Sequence, residues 1–388
     1  MHRAEDYANA KDFFDAQWPL EENEEHSRIT AATEEPSRLP WLLPLAGLGA
    51  WLVWRGLRRE PTFTLCGKHV LITGGSRGLG LLLAREASRQ GARVAVCARD
   101  PEELNRAYDD LASRGAHVLA IPCDVTQPQE VAALVNEVLR RWNRLDVLIN
   151  NAGVIGVGPV ETMTLADFHE AMNVNFWGAL HAIHAVLPAM KRRRTGRIVN
   201  ISSIGGKVSA PHLLPYSASK FALTGLSEGL RSELADSGIV VTTVCPGLMR
   251  TGSPRNATFK SRHEAEYAWF KLSDSLPLLS MSAERAARQV LAACCAGKAE
   301  VVLSLPAKLA VKFHDAFPGL TTDILALVDR CLPQPGGVGA APVLGKHSES
   351  AWSSNVLTTL TDRAAERNNQ IAPDEAAVAV ACGLEPPQ

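Results

Sequence analysis

A tyrosine and a lysine stand four positions apart in the stretch YSASKFALTGLSEGL, which begins at Tyr216. Residues four apart lie on one face of a helix, so the Tyr216 and Lys220 side chains are expected within reach of each other. An unperturbed phenol, with a pKa of about 10, is a poor acid–base catalyst at neutral pH. A lysine charge about 4 Å away, at an effective dielectric near 20, is worth about 4 kcal/mol or about three pKa units. We therefore expect Lys220 to lower the Tyr216 pKa toward neutrality, where a phenol exchanges protons efficiently with a substrate oxygen.

A serine hydroxyl precedes this pair. Ser203 lies thirteen residues before Tyr216, after the β-rich run RIVNIS. A hydroxyl at the end of a strand suits a hydrogen-bond donor that polarises a substrate oxygen. The neighbouring Ser202 is the competing assignment.

A glycine-rich stretch follows the run HVLIT directly and precedes the helical stretch LLLAREASRQG. In such a turn, backbone N–H groups and the positive end of the helix approach a pyrophosphate without Cβ clashes. The sequence therefore predicts a dinucleotide site, and the alternative is a turn that merely ends a strand. The turn residues assigned to the cofactor are Thr73, Gly74, Ser76, Arg77, Gly78, Leu79 and Gly80.

Seven short β-rich runs alternate with helical stretches and must position these groups. The runs are HVLIT (69–73), RVAVC (93–97), HVLAIP (117–122), LDVLIN (145–150), RIVNIS (197–202), IVVTTVC (239–245) and EVVLS (300–304). Continuous apolar runs of this length are typical of strands buried on both faces. The pattern predicts an α/β fold: a Rossmann-like, doubly wound sheet of seven parallel strands, with helices on both faces and ligands at the carboxyl ends of the strands.

The motifs and their order resemble those of the short-chain dehydrogenase/reductase family. The turn has the spacing T-G-x-x-x-G-x-G, and four further segments follow in the family's order. They are Cys123-Asp124-Val125, Asn150-Asn151-Ala152-Gly153, YSASK from Tyr216 to Lys220, and Pro246-Gly247. The resemblance covers about residues 66–305 and implies an oxidoreductase that uses a nicotinamide cofactor to interconvert a carbonyl and an alcohol.

The resemblance also implies a role for each matching residue. Tyr216 is implied as the general acid–base, and Lys220 as a residue that also holds the nicotinamide ribose. The thirteen-residue spacing favours Ser203 as the hydroxyl donor. Asn175 is implied to support a proton relay through a water, with Asn173 as the competing assignment. The other implied cofactor contacts are Asp124, Val125, Asn151, Ala152, Gly153, Pro246, Gly247 and Thr251.

The choice between NAD and NADP depends on the charge that follows the second strand, where a carboxylate would bind the ribose 2′-hydroxyl and repel a 2′-phosphate. That position is Ala98, followed by Arg99, and Arg77 lies in the glycine-rich turn. Two guanidinium groups suit a phosphate, so the sequence predicts NADP(H). Asp100 complicates this prediction because it lies two positions after Ala98.

Composition excludes some function classes. Lys plus Arg total 40 and Asp plus Glu total 41, so no global positive charge would recruit nucleic acid. The eight cysteines contain no C-x-x-C pair, and the eleven histidines show no metal-binding spacing, so no metal site is expected. His212 is a loop histidine that we do not assign to catalysis.

The N-terminal part of the chain differs from the rest. Residues 1–38 are mostly polar and acidic and are expected to be a disordered leader. The segment 39–59 is expected to anchor the protein to a membrane, because 39–54 (LPWLLPLAGLGAWLVW) carries no charge and three arginines follow it within five residues. The arginines would place the catalytic part on the cytoplasmic side. The alternatives are an apolar arm packed on protein and a purely cytoplasmic location.

The remaining domain boundaries follow from the same patterns. Residues 60–305 are expected to form the NADP-binding catalytic domain, 306–332 two amphipathic helices, and 333–388 a flexible linker and tail. By resemblance, the protein is expected to be a homodimer or a tetramer.

The substrate is expected to be a small, lipophilic carbonyl or alcohol. The residues expected to form the apolar wall are Val154 to Val160, His212, Leu213, Leu214, and from the insertion 248–281 Tyr267, Trp269, Phe270, Leu276, Leu278 and Leu279. Two other functions remain open from the sequence: a non-catalytic NADP-binding scaffold or sensor at the membrane, and an epimerase on the same fold.

Overall fold

The computed structural model describes residues 63–276, 279–350, 353 and 358–371. The strands in these ranges are β1 His69–Thr73, β2 Arg93–Ala98, β3 Val118–Pro122, β4 Val147–Asn150, β5 Gly156–Val157, β6 Gly196–Ile201, β7 Ile239–Cys245, β8 Met249–Arg250, β9 Thr258–Phe259, β10 Met281–Ser282, β11 Glu300–Val302 and β12 Val343–Leu344. Seven of them form one sheet in the order β11-β7-β6-β4-β1-β2-β3. All its pairings are parallel, so the predicted doubly wound sheet is confirmed.

Helices connect the parallel strands. In the described part of the chain they are α1 Gly78–Arg89, α2 Pro101–Ser113, α3 Pro128–Trp142, α4 Leu165–Met172, α5 Gly178–Arg193, α6 Leu214–Glu233, α7 His263–Ser275, α8 Ala283–Cys295, α9 Leu305–Ala316, α10 Pro318–Asp329 and α11 Thr359–Arg367. Local sequence sets several ends: Pro101 and Pro128 occupy the first turns of their helices, and Asn143 ends α3 in a left-handed conformation.

The central strands are mostly apolar because both faces of the sheet are covered. Every residue of β1, β4 and β6 is buried. On one face, side chains of α1 and α8 pack against Val70, Ile72 and Val96. On the other face, side chains of α3 and α5 pack against Leu71, Leu148 and Ile198. Alternate residues of one strand therefore face opposite helix layers, as the predicted layers on both faces require.

The C-terminal region differs from the predicted flexible linker and tail. Val343–Leu344 pairs antiparallel with β9, which itself pairs parallel with β5, so part of 333–345 belongs to a small three-stranded sheet. Residues 359–367 form α11. The composition of the linker is rich in glycine and proline, but backbone hydrogen bonds to Ser261 and Ala257 hold it in place.

The predicted leader (1–38) and membrane anchor (39–59, with its apolar run 39–54) lie outside the described residues. Within the described ranges, no helix has the length and apolar composition needed to cross a membrane. The predicted amphipathic helices of 306–332 correspond to α9 and α10.

A buried carboxylate joins three elements at the amino-terminal edge of the sheet. Asp146 accepts hydrogen bonds from the His69 backbone at 3.0 Å, from Arg144 at 2.6 Å and from Arg193 at 2.8 Å. Although burial raises its pKa, these hydrogen bonds outweigh it and hold the pKa of Asp146 well below the usual range.

We predict that Asp146→Ala lowers the free energy of unfolding by about 3 kcal/mol at pH 7, because it leaves two arginines without their shared partner. Urea unfolding measures the loss, and the exposed Asp109→Ala serves as the control. The Asp146 contribution is full above the unfolded carboxyl pKa of about 3.9, and it declines as the pH falls toward the lower folded-state pKa. An equal loss in both variants would contradict the prediction.

Candidate active site

The glycine-rich turn is tied to the end of the neighbouring strand β4. The Thr73 hydroxyl oxygen accepts hydrogen bonds from the backbone N–H groups of Asn151 at 3.0 Å and Ala152 at 3.1 Å. In return, the Asn151 side-chain amide donates to the carbonyl oxygens of Thr73 at 3.1 Å and Gly74 at 2.9 Å. The turn is thereby held over the crevice at the carboxyl ends of β1 and β4.

Two glycines are required by close packing. A Cβ on Gly80 would lie 2.0 Å from the Gly74 carbonyl oxygen, and a Cβ on Gly74 would lie 2.8 Å from the Ala152 Cα. Gly74 also has a φ of +63°. The turn leads into the amino-terminal end of α1, whose first turn carries no acidic residue. These residues fit the diphosphate of a dinucleotide.

A carboxylate that the sequence analysis did not identify lies beside the turn. Glu103, in the first turn of α2, accepts a hydrogen bond from the Ser76 hydroxyl and one from Arg77 Nη1 at 2.6 Å. Its side chain is nearly buried, whereas that of Arg77 is 42% exposed. No spacing signal connects positions 26 residues apart on different elements. The Glu103 carboxylate is therefore bound to Arg77, whose guanidinium the sequence analysis assigned to a 2′-phosphate.

Asp100, which complicated the cofactor prediction, caps α2. Its Oδ1 accepts hydrogen bonds from the backbone N–H groups of Glu102 at 2.9 Å and Glu103 at 3.0 Å. Arg99 is exposed. The Asp100 carboxylate is therefore engaged within its own helix, and Glu103 is the acidic group at the turn.

Two residues implied as adenine contacts follow β3. Asp124 Oδ1 accepts hydrogen bonds from both the backbone and the hydroxyl of Thr126 at 2.9 Å, which closes a local turn. Val125 is buried, and a Cβ added to Gly178 would lie 2.8 Å from its Cγ2. The strand end and α5 thus pack closely at this wall of the crevice.

The structure brings Ser203 to the Tyr216 phenol. A Cβ added to Gly205 would lie 3.2 Å from Tyr216 Cε1 and 3.4 Å from Ser203 Oγ, and Ser203 Oγ accepts from the Gly205 N–H at 3.0 Å. Ser202, the competing assignment, turns toward α6 instead: its hydroxyl donates to the Lys220 carbonyl at 3.0 Å and contacts Thr224 Oγ1 at 2.8 Å.

Lys220 lies on the same face of α6 as Tyr216, and its Nζ is 5.7 Å from the centre of the tyrosine ring. The ammonium group is buried and donates to the Ile201 carbonyl at 2.9 Å. Burial lowers the pKa of Lys220 to about 8, because the charged form loses solvation.

The expected lowering of the Tyr216 pKa is wrong for this structure. Burial raises the pKa of Tyr216 to about 12, with a smaller raising effect from the Asp274 carboxylate, and the Ser203 hydrogen bond lowers it only in part. The sequence argument counted the lysine charge but not the desolvation of the phenolate. The raised pKa favours the protonated form of the phenol at neutral pH.

Asn175 lies in a single π-helical turn, Asn173–Trp177, between α4 and α5. Its Oδ1 accepts from the Val154 N–H at 2.9 Å, and its Nδ2 donates to the Val154 carbonyl at 3.1 Å and Ser219 Oγ at 2.9 Å. The competing Asn173 is exposed. The structure thus brings Asn175, and not Asn173, to the interior beside the helix of Tyr216 and Lys220.

The segment after β7 forms the opposite lip of the crevice. The Pro246 carbonyl accepts from the Ile204 N–H at 2.7 Å. A Cβ on Gly247 would lie 2.9 Å from Ser304 Oγ. Thr251 is buried, and its hydroxyl accepts from the Ser253 N–H at 3.1 Å. These three implied contacts therefore lie on one short stretch of chain.

Two aromatic residues predicted to line the substrate site, Tyr267 and Phe270, pack inside the insertion instead. Tyr267 and Phe270 pack on Phe259 and Val157 in a separate small core of the insertion. Their apolar surface therefore stabilises the insertion. Leu279 is exposed, and Leu278 lies outside the described residues.

His212 belongs to a buried polar cluster. Its Nδ1 lies 2.9 Å from Glu266 Oε1, and Trp269 Nε1 donates to the other oxygen of the same carboxylate at 2.7 Å. These contacts attach the His212 loop to α7.

Known proteins share this architecture. Residues 68–261 match the family described as short chain dehydrogenase. The chain is 34% identical over 301 residues to dehydrogenase/reductase SDR family member 7B of Bos taurus, covering 74% of this chain and 89% of that protein. A variant of actinorhodin polyketide ketoreductase with NADPH has a TM-score of 0.56 and 33% identity, covering 62% of this chain and 97% of that one. A short chain dehydrogenase/reductase from Burkholderia phymatum in complex with NAD has a TM-score of 0.62 and 25% identity, covering 66% and 96%.

Proposed function

Because the chain belongs to the short chain dehydrogenase family, we propose that it reduces a carbonyl compound to an alcohol with NADPH. The observation that carries the proposal is geometric: Ser203 and the Tyr216 ring lie around Gly205, and the Lys220 Nζ lies 5.7 Å from the centre of the same ring. Burial keeps the phenol protonated at neutral pH, so its proton is available to the alkoxide that develops when a carbonyl is reduced.

The residues have separate tasks in this proposal. Bound NADPH supplies the hydride that reaches the carbonyl carbon. Ser203 donates a hydrogen bond that orients the carbonyl oxygen, and Tyr216 gives that oxygen its proton, so the carbonyl becomes an alcohol. The Lys220 charge stabilises the phenolate that Tyr216 leaves behind. Asn175 positions Val154 and Ser219 around the lysine and supports the return of the proton.

The preference for NADPH is also part of the proposal. Arg77 and the exposed Arg99 supply two positive charges at the end of the crevice that receives the adenosine ribose. Glu103 opposes this preference, because its carboxylate pairs with Arg77 and would repel a 2′-phosphate. We propose that Arg77 exchanges Glu103 for the phosphate on binding. One relative in structure carries NADPH and another carries NAD.

We further propose a lipophilic substrate and attachment of the protein to the cytoplasmic face of a membrane. Besides the uncharged segment 39–54, α9 and α10 present an exposed apolar face to solvent. The members of this C-terminal helix face are Leu305, Leu309, Phe313, Phe317, Leu320, Ile324 and Leu327. Lys308 and Lys312 are also exposed on α9 and complement anionic lipid headgroups.

We predict that Tyr216→Phe lowers kcat for ketone reduction at least about a thousandfold, because the proton donor is removed. NADPH binding, followed by nicotinamide fluorescence, should stay within about twofold of wild type, since the ring is kept. The exposed Tyr108→Phe is the matched control. In wild type, reduction should slow as the pH rises through about 8, where Lys220 loses its positive charge.

Near-normal turnover by Tyr216→Phe would refute the proposed role. Stoichiometric loss of NADPH absorbance with a ketone distinguishes the reductase from the two alternatives. A scaffold consumes no NADPH, and an epimerase returns the cofactor to its original state.

We predict that Arg77→Ala raises the KM for NADPH about tenfold and changes that for NADH little, because a charge-assisted hydrogen bond to the 2′-phosphate is lost. Glu103→Gln should lower the KM for NADPH, because it removes the competing carboxylate. The control for the second change is the exposed Glu102→Gln in the same helical turn. Equal effects on both nucleotides would contradict the assignment of the 2′-phosphate to this site.

We predict that wild-type protein sediments with phosphatidylserine-containing vesicles, and that Phe313→Glu with Leu320→Glu lowers the bound fraction. Charges on the C-terminal helix face make its transfer to a bilayer unfavourable. Tyr108→Glu, at an exposed aromatic residue of α2, is the control. A bound fraction equal to that of wild type would contradict a contribution of this face to membrane binding.

A further inference from the structure

The end of the described chain crosses the mouth of the crevice. Residues 368–370 follow α11 directly, and Asn369 has a φ of +56°, a left-handed conformation that asparagine tolerates. This turn lets neighbouring residues contact both lips of the crevice. The segment lies almost 300 positions after the glycine-rich turn that it contacts.

Two of these residues bind the lip formed by the glycine-rich turn. The Asn368 carbonyl accepts from the Gly78 N–H at 2.9 Å. The Asn369 side-chain amide donates to the carbonyl oxygens of Ser76 at 2.8 Å and Glu103 at 2.9 Å. Arg106 Nε donates to Asn369 Oδ1 at 2.9 Å.

The third residue binds the opposite lip. The Gln370 side-chain amide donates to the Thr251 carbonyl, and its Oε1 accepts from Asn256 Nδ2 at 2.7 Å. The same Gln370 Nε2 lies 2.9 Å from the position that a Cβ on Gly78 would take. One carboxamide therefore bridges the two chain segments between which a diphosphate passes in this fold.

The preceding helix holds this segment in place. Lys271 of α7 pairs with Asp362 at 2.8 Å, and Ser275 contacts the Thr361 hydroxyl at 2.7 Å. Ala365 packs closely on Gly252: a Cβ added to Gly252 would lie 2.4 Å from the Ala365 Cβ. Residues 368–370 are thus attached to a packed helix on one side and to the crevice on the other.

A buried donor in the segment has no protein acceptor. Asn368 is 1% exposed, and its Oδ1 accepts from Arg85 at 3.3 Å. Among the described residues, its Nδ2 is one of the few buried side-chain nitrogens without a hydrogen-bond partner. Leaving a buried donor unpaired costs about 1–3 kcal/mol, and an oxygen of a bound diphosphate beside Gly78 would satisfy it.

We propose that residues 368–370 form a strap that closes over the bound dinucleotide, with the Asn368 amide donating to its diphosphate; this inference rests on the proposed function. The strap contacts rim atoms, mainly backbone carbonyls. Within the described chain, no hydrogen bond joins it to Asn151, Tyr216 or Lys220 on the crevice floor. The segment therefore covers the site from the solvent side and must open for the cofactor to enter and leave.

The strap predicts faster cofactor exchange when its bonds are removed. Gln370→Glu keeps the size of the side chain but replaces the donor to Thr251 with a carboxylate oxygen. Asn368→Asp replaces the free donor with a negative charge beside the diphosphate. Stopped-flow fluorescence with NADPH should show dissociation about tenfold faster or more in each variant, as expected for the loss of about one to two hydrogen bonds.

The control is Glu366→Ala, an exposed residue of α11 two positions before the strap. This control should leave the rate of NADPH dissociation unchanged. The melting temperature of each variant, measured without nucleotide, separates a folding defect from loss of the strap. Dissociation rates equal to wild type in folded Gln370→Glu and Asn368→Asp would overturn the proposal.

Hydrogen exchange of the unmodified full-length protein provides a second readout. A strap that closes over the cofactor becomes more protected, so amide exchange at residues 366–371 should slow when NADPH is added. Faster exchange would show that the nucleotide displaces residues 368–370. The segment would then compete with the cofactor for the site, and the strap proposal would be wrong. Wild-type protein that binds neither NADPH nor NADH would overturn the proposed function together with the strap.

Discussion

A buried positive charge constrains the centre of this protein. The Lys220 ammonium is enclosed by the end of β6, the turn after β4 and the π-helical turn of Asn175, and its direct hydrogen bond is to the Ile201 carbonyl. A Cβ on Gly153 would lie 3.5 Å from Lys220 Nζ and 2.9 Å from Asn175 Oδ1, so a side chain there would crowd both groups. Burying a cation is unfavourable, and the lowered pKa of Lys220 reflects it. In return, the buried position keeps the Lys220 ammonium group beside the Tyr216 ring.

The phenol and the lysine respond to the same low-polarity surroundings in complementary ways. Burial disfavours the charged form of each, which raises the pKa of Tyr216 and lowers that of Lys220. The tyrosine therefore holds its proton, while the lysine is close to the pH at which it can release one. In the proposed reaction, Tyr216 would pass its proton to the substrate oxygen, and Lys220 would take part in returning a proton to it. The protonation state of the pair thus follows from desolvation as much as from the lysine charge.

The other end of the crevice is governed by competition between charges. Arg77 already has a carboxylate partner in Glu103, and the same Glu103 offers its backbone carbonyl to Asn369. The glycine-rich turn, α2 and the C-terminal segment therefore meet at one small site. A 2′-phosphate bound to Arg77 would replace Glu103 there, next to the backbone carbonyl that accepts from Asn369.

Much of the fold follows from local sequence. Apolar runs separated by crossover-length helices produce a parallel sheet because strands covered on both faces bury mostly apolar side chains, and the predicted and observed strands agree within a few residues. The Tyr216–Lys220 pair and the glycine-rich turn were also evident, since each is a short motif on one element. Ser203 could be separated from Ser202 only by a spacing shared with a family, whereas the structure separates them by direction.

Tertiary structure decided what local motifs cannot encode. The pairing of Glu103 with Arg77 and the binding of residues 368–370 across the crevice join positions that are far apart in the chain and share no motif. The direction of the Tyr216 pKa shift likewise depends on how much protein surrounds the phenol, which no spacing reports. The aromatic residues of the insertion looked like a substrate wall, yet they pack in their own core. The sequence by itself determined the sheet and the catalytic motifs because these depend on local periodicity and neighbouring residues. Long-range contacts and burial depend on the folded arrangement of all the elements, so only the tertiary structure could decide them.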